Sequence, residues 1–431
     1  MKLRRLGALG IIALFAAAAC TPGATPGTSP GTSPGTTPGD TPGTTPDTTP
    51  GTTPGALGEI VIGAGEPILI GTALAITGDV ATLGLDSQWG AEIAGDLKNE
   101  AGGLLGHDIA WAHEDAGCAA AETGQTAAQS LVTNDNLVAV IGTSCSRTAV
   151  PAAPVLAQRG IILISPANTS PTLTDPTHAE FAGDFYLRSA HNDLVQGAAV
   201  ATYACEQDWT TAATVHDGST YSDNLRQAFE RAFEEQCAGE IVSQQATTAD
   251  EVNFAGILGP IADAAPDMIF LPMFHPAGTS IIQQARDITA LNDTQLVGTD
   301  GMLGSPDVLE QAGAAADGML FSGPACAGDE YENNFLPRYV EKSNEPTPIA
   351  PFHCHAFDAA NMIFAAIESV AQQDADGSLR IDRQALRDAI FATSDFEGLT
   401  GSLTCDENGD CADPNITISR IENAQYVVFW P

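Results

Sequence analysis

Three short turns in this chain gather residue types able to hold a small charged molecule. Ser146 follows the apolar run 136–141, so its hydroxyl and backbone N–H both stand near a strand end. Ala167 and Thr169 occupy the turn after the next apolar run, 161–164, and add a carbonyl, N–H groups and a second hydroxyl. Asp300, between Thr299 and Gly301, is an acid in a turn after a third run, 295–297. Tyr221 stands just beyond the run 210–215 and offers an aromatic wall with a hydroxyl. Donors in two turns suit a carboxylate, and an acid facing them suits an ammonium; together these are the two ends of a zwitterion. Each residue also has a plainer use. Ser146 could cap the helix that starts near Thr148, Asp300 could cap its own turn, and Tyr221 could pack at an edge.

Other chemistries fit less well. His353, Cys354 and His355, with Cys326, have the makings of a metal cluster, but in an exported chain a disulfide from Cys354 is the expected use. No metal and no cofactor are expected. The segment 406–410 has the acids of a calcium loop without its spacing or terminal Glu, and its Asn-Gly reads as a hairpin turn. No nucleophile elbow, phosphate loop or metalloprotease His-Glu-x-x-His is present.

These turns need a scaffold that places strand ends side by side. From Ile68 the chain alternates apolar runs with helical periods. Strands are expected at 67–71, 108–111, 136–141 and 161–164, with helices over 86–100, 119–133 and 148–158. The alternation then restarts: strands at 210–215, 267–271 and 295–297, and helices over 194–204, 223–235 and 277–289. Helices follow near 330–340, 357–372 and 383–391, and the stretch from Gly401 has hairpin character. Continuous apolar strands separated by helices imply parallel sheets covered on both faces. The expected fold is therefore α/β, two Rossmann-like doubly wound lobes joined by a hinge. Ligands bind such sheets beyond the carboxyl ends of the strands, in the cleft between lobes.

The N-terminus points to export. Lys2, Arg4 and Arg5 precede an apolar stretch over 6–19, too short to span a bilayer core but suited to a signal peptide, which 1–19 is expected to be. Ala17-Ala18-Ala19-Cys20 resembles a bacterial lipobox, departing from it at Ala17 where Leu is usual, and makes Cys20 the lipid-bearing residue. Ordinary cleavage after Ala-x-Ala is the alternative. Residues 20–55 are then a lipidated Cys and a Thr/Pro/Gly tether with no side chains to build a core. Nine cysteines less Cys20 leave an even set for an oxidising compartment: Cys118, Cys145, Cys205, Cys237, Cys326, Cys354, Cys405 and Cys411. Eight cysteines allow 105 pairings, of which pairing in chain order is attractive. A formal net charge of −38 repels nucleic acid and anionic headgroups and favours solubility.

Several segments resemble periplasmic-binding proteins of type I, the leucine/isoleucine/valine-binding solute receptors of ABC importers. Ile141-Gly-Thr-Ser-Cys-Ser-Arg147 resembles the turn that ends the family's third strand, and Ile164-Ser-Pro-Ala-Asn-Thr-Ser170 the turn that ends its fourth. Val215-His-Asp-Gly-Ser-Thr-Tyr221, Ile269-Phe-Leu-Pro-Met-Phe-His-Pro276 and Val297-Gly-Thr-Asp-Gly301 follow in the family's order. The resemblance spans 66–431. It implies lobe 1 from 66–188 and 322–396, and lobe 2 from 189–321 and 397–431. It further implies a Cys118–Cys145 bridge and a ligand site of Ser146, Ala167, Thr169, Tyr221, His275 and Asp300. Phe274 and His275 stand where the family often has tyrosines, and Leu83 where it often has an aromatic. The implied function is an extracytoplasmic, lipid-anchored, non-enzymatic receptor. It would be a monomer that passes an amino acid of the branched-chain type, or a small amide, to ABC permease subunits. A sensing module for a signalling partner is the alternative, and an extracellular amide hydrolase a more distant one.

Overall fold

The computed structural model describes residues 57–430. The expected signal peptide, Cys20 and the expected tether lie outside the described residues.

Two sheets, the first parallel and the second parallel but for two strands, form the frame. The first has five strands in the order Ile109–Asp115, Ile68–Leu74, Leu137–Gly142, Ile162–Ser165, Tyr186–Arg188, all parallel. Its central strand Leu137–Gly142 is buried throughout, as a strand covered on both faces must be. Val138, Ala139 and Ile141 join one core with the helices Ala81–Glu100 and His353–Val370. Leu137 and Val140 join the other, with the helices Ala121–Leu131 and Ser146–Ala157. The helix Ala81–Glu100 lies very close to its neighbours. A Cβ on Gly90 would stand 2.0 Å from the His353 carbonyl oxygen, so only glycine fits that crossing.

The second sheet has seven strands, in the order Gln425–Trp430, Ile416–Glu422, Leu320–Pro324, Gln295–Gly298, Met268–Leu271, Thr211–His216, Glu240–Ala246. The last five of these run parallel, and the C-terminal hairpin adds antiparallel to Leu320–Pro324. The helices Asp193–Glu206 and Thr220–Cys237 cover one face, and Ala255–Ala264, Ala277–Arg286 and Pro306–Ala312 the other. Beside the C-terminal hairpin, Tyr203 is ringed edge-on by Trp209, Phe429 and Trp430. Among the described residues no helix is long and apolar enough to cross a membrane.

The chain passes between the sheets after Arg188, after Pro324 and between Cys411 and Ile416. Three expected boundaries shift accordingly. The first lobe begins before 66, because Glu59–Ile62 pairs with Leu379–Asp382 and Ile60 and Ile62 enter its core. Residues 322–324 stay in the second sheet, where Leu320–Pro324 pairs with Ile416–Glu422. The segment 397–411, expected in lobe 2, packs on lobe 1. Leu403 and Cys411 lie in the first core, and buried Asp358 accepts from the N–H groups of Leu399 and Thr400 and from the Thr400 hydroxyl.

The eight body cysteines pair in chain order. Cα–Cα separations are 5.5 Å for Cys118–Cys145, 5.5 Å for Cys205–Cys237, 6.4 Å for Cys326–Cys354 and 3.7 Å for Cys405–Cys411.

Candidate functional site

The strand ends of both sheets meet at one cleft. On the first side, the strand Leu137–Gly142 delivers Ser146 as the first residue of its helix, and the strand Ile162–Ser165 delivers Ala167 and Thr169. The Ser146 hydroxyl does not cap its own helix; it accepts from Ser170 N at 3.3 Å and so ties the two turns together. Ser165 Oγ accepts from the N–H groups of Ala167 and Asn168 and folds the second turn back on its strand. Ala167 faces an apolar cluster of Leu83, Cys145, Ala350 and Phe352, onto which Phe274 packs from the other lobe. Thr169 is fully buried and its Oγ1 has no hydrogen-bond partner.

Arg188 underpins these turns. It is fully buried, donating from Nη1 to the carbonyls of Ser170 at 2.7 Å and Asn168 at 3.2 Å. Nη2 donates to Thr174 Oγ1, and Nε to the Asp410 carboxylate. A guanidinium suits this place because its planar fork serves several acceptors at once.

The second side centres on Asp300. Its Oδ1 accepts from the Tyr221 hydroxyl at 2.9 Å and from Gln196 Nε2 at 2.7 Å. Tyr221 in turn lies 2.6 Å from Thr299 Oγ1, and since its own proton goes to Asp300, Thr299 is the donor of that pair. Gln196 presents its amide N–H to Asp300, so its Oε1 accepts from His191 Nε2 at 2.6 Å. His191 therefore carries its proton on Nε2. Burial pushes its pKa down to about 4, which keeps the ring neutral. Burial pushes the Asp300 carboxyl up to about 6, against the lowering effect of the Gln196 and Tyr221 bonds. Near neutral pH it is ionised and can accept from a cation.

His275 stands beside this centre. Gln311 Nε2 donates to its Nε2 at 3.3 Å, so Nδ1 is the protonated nitrogen and donates to Thr279 Oγ1 at 3.0 Å. Burial lowers its pKa, with Asp307 and Asp79 opposing. It reaches two spaces: a narrow one with Asp300, Leu83 and Ala350, and a cavity of about 320 Å³ between the lobes. The larger one is walled by Val80, the Cys118–Cys145 bridge and Arg147 on one side and by Asp217, Phe274 and His275 on the other.

Tyr221 and Asp300 thus share one hydrogen-bonded unit, with Thr169 linked to it through the helix that carries Gln196. Ser146 acts one step away through Ser170, Ala167 is apolar wall, and His275 lines the outer approach. Leu83 joins the wall; Trp89 does not, packing edge-on to Tyr339. Cys326, His353 and Cys354 do come together, but the two cysteines are bonded to each other and His353 Nδ1 meets Asp86 at 3.1 Å. Sequence reasoning missed Asp193, Gln196 and His191. Asp193 and Gln196 are three apart in the first turn of a helix capped by Asn192, so one helix face carries both. That spacing was the available signal.

Comparison with known proteins agrees with this architecture. Residues 67–425 match the family model described as "Periplasmic binding protein". The leucine-, isoleucine-, valine-, threonine-, and alanine-binding protein of Pseudomonas aeruginosa is 26% identical over 358 residues, 82% of this chain and 90% of that protein. The Leu/Ile/Val-binding protein of Escherichia coli K12 is 27% identical over 346 residues, 80% of this chain and 88% of that one. Both are binding proteins, not enzymes. Among solved structures, the branched-chain amino acid transporter substrate binding protein LivJ of Streptococcus pneumoniae, in complex with isoleucine, superposes with a TM-score of 0.73. It is 24% identical, with 85% of this chain and all of that one covered, and it shares the fold. The chain belongs to the periplasmic binding protein family.

Proposed function

We propose that this protein is an extracytoplasmic solute-binding lipoprotein of an ABC importer. It captures an amino acid of the branched-chain class, or a related small amide, between its two lobes. The observation that carries this reading is the polarity of the cleft. One wall offers hydroxyls at Ser146 and Thr169, and the other an ionised Asp300 held by Tyr221 and Gln196. A zwitterion lying across the cleft meets donors at one end and an anion at the other. The names of the relatives support the same ligand class. Because the walls belong to different lobes, binding draws them together by hinge closure.

Isothermal calorimetry of the purified body against aliphatic amino acids and their amides tests this reading. One saturable site is expected within the panel. Heats no larger than dilution for every compound would remove it.

The anchor has its own test. Cys20→Ser in the full chain should move the protein from the membrane fraction to the soluble one, since a covalent lipid at that residue holds it. A folded mutant that remains in the membrane fraction would show that something else tethers it.

A further inference from the structure

The Cys326–Cys354 bridge has a neighbour that the other bridges lack. His353 Nε2 lies 3.4 Å from Cys326 Sγ, and one ligand atom from each of Cys326, His353 and Cys354 falls within 4.8 Å of the other two. Among the described residues no other group of His, Cys and acids comes together in this way. Elsewhere the sulfurs meet backbone carbonyls: Ala201 at Cys237, Ile390 at Cys405 and Gly409 at Cys411.

His353 is held as a metal-binding histidine is held. Its Nδ1 meets both oxygens of Asp86, at 3.1 and 3.2 Å, and the Ala350 carbonyl at 3.1 Å. All of these are acceptors, so Nδ1 carries the proton, and in the neutral ring Nε2 is a bare lone pair. That lone pair faces Cys326 and the Tyr331 hydroxyl, which is 3.4 Å away. Asp86 is itself fixed by the Tyr339 hydroxyl and Phe352 N. A carboxylate behind an imidazole sets its tautomer and aim and raises its basicity, as it does behind zinc-bound histidines. A disulfide asks none of this of its neighbour. Asp86, His353 and Cys354 are buried, and the rings of Tyr331, Phe335 and Tyr339 wall the imidazole in. Cys326 is only partly buried, which leaves a way in from solvent.

We propose that Cys326, Cys354 and His353 Nε2 form a zinc site in the dithiol form of the protein. With the bridge closed, the sulfurs carry no thiolate charge and the site is shut. With it open, two S–H bonds break, two Zn–S bonds form and two protons go to solvent, while the imidazole supplies the third ligand. Water or Tyr331 Oη completes four-coordination. Thiolates beside an imidazole select zinc over calcium or magnesium. Every chain begins with its cysteines as thiols, so this form precedes the bridge. Its place gives it a use. Cys326 stands just past Leu320–Pro324, where the chain leaves the second sheet, and Cys354 is in the first turn of the helix His353–Val370 on the first. Metal or bridge, either one ties that crossover to the first lobe.

The test titrates Co²⁺ and Zn²⁺ into the full chain, oxidised and reduced. The reductant is a water-soluble phosphine, which breaks the S–S bond and leaves as its oxide, with water supplying the oxygen and both thiol protons. Reduced wild type should bind one metal per chain, with the thiolate-to-cobalt charge-transfer band and strong visible bands of a tetrahedral site. The oxidised protein should show neither. Zinc should raise the melting temperature of the reduced protein as its concentration rises. His353→Gln should abolish the band. Asp86→Asn, which keeps all three ligands, should weaken cobalt binding by about 10- to 100-fold. Cys205→Ser with Cys237→Ser removes two thiols from the other lobe and should leave the band whole. No band in the reduced wild type would overturn the proposal. So would a band that survives His353→Gln, or one that shrinks in the Cys205→Ser, Cys237→Ser variant, because adventitious metal follows the number of thiols. Circular dichroism of the oxidised variants confirms their folding; should His353→Gln fail to fold, the Cys205→Ser, Cys237→Ser variant decides alone.

Discussion

Asp300→Asn should lower affinity for the captured amino acid by at least about tenfold while leaving the two lobes folded. The substitution keeps the shape of the side chain. It removes the charge, and it turns one oxygen into a donor facing the ligand's ammonium. A hydrogen bond assisted by charge contributes about 1.5–3 kcal/mol, and about 1.4 kcal/mol is one decade of affinity. The amide also disturbs what stands behind it, since Gln196 and Tyr221 both donate to Oδ1. Ser146→Ala should cost less, because the Ser146 hydroxyl is one of several donors and acts partly through Ser170. Affinity of the wild type should also depend on pH. The ammonium needs the ionised acid, and burial holds the Asp300 pKa up to about 6. Binding should therefore strengthen as pH rises through that value and weaken as it falls below. Calorimetry across pH 5 to 8, with circular dichroism of each variant, checks both statements. Normal binding by Asp300→Asn would place the ammonium acceptor elsewhere in the cleft.

The largest loss of stability is expected from Arg188→Leu. Arg188 is fully buried, and its donors serve Asn168, Ser170, Thr174 and Asp410. Leucine leaves the Asn168 carbonyl unpaired, leaves the Ser170 carbonyl only the Leu173 N–H at 3.4 Å, and strips Asp410 of its cation. Removing one partner of a buried ion pair typically costs about 3–5 kcal/mol. The midpoint of urea unfolding should fall accordingly, with the slope little changed. Arg188→Lys should lie between, since an ammonium restores the charge without the planar fork. Because the carbonyls in question flank Thr169, binding measured well below the unfolding midpoint should weaken too. A midpoint within error of the wild type would mean that the turn is held by the Ser165 and Ser146 bonds alone.

Most of the frame was legible because buried parallel strands are apolar without interruption. The runs 136–141, 161–164 and 267–271 correspond to the strands Leu137–Gly142, Ile162–Ser165 and Met268–Leu271. Glu240–Ala246 escaped notice as a polar edge strand, only partly buried. The helix Ala255–Ala264 was hidden by Gly256, Gly259 and Pro260, which weaken any helical pattern. The helix expected at 86 begins at Ala81, since Gly84 reads as a turn residue. In space Gly84 is needed because a Cβ there would meet the Ala75 carbonyl oxygen.

The candidate site was legible where it follows from strand ends and obscure where it depends on the third dimension. Ser146, Thr169 and Asp300 stand in turns that any doubly wound sheet points at its cleft. Nothing in their order shows that Ser146 works through Ser170, or that Gln196 holds Asp300. Arg188 and Asp193 belong to residue types that are almost always exposed. Only the assembled lobes reveal one saturated with partners and the other left with none.

The placement of the aromatic residues decides which optical signals the protein can give. Its four tryptophans are divided between the lobes. Trp89 packs on Tyr339 and Trp111 stacks on His113, while Trp209 and Trp430 flank Tyr203 beside the C-terminal hairpin. None lines the cleft spaces, whose aromatic wall is Phe274 backed by Tyr221. Indole emission therefore reports the integrity of both frames and stays nearly silent to the occupant between them. A denaturation curve followed by fluorescence can be compared across ligands without correction for quenching, and a sensor built on this scaffold needs a dye placed at the cleft's rim.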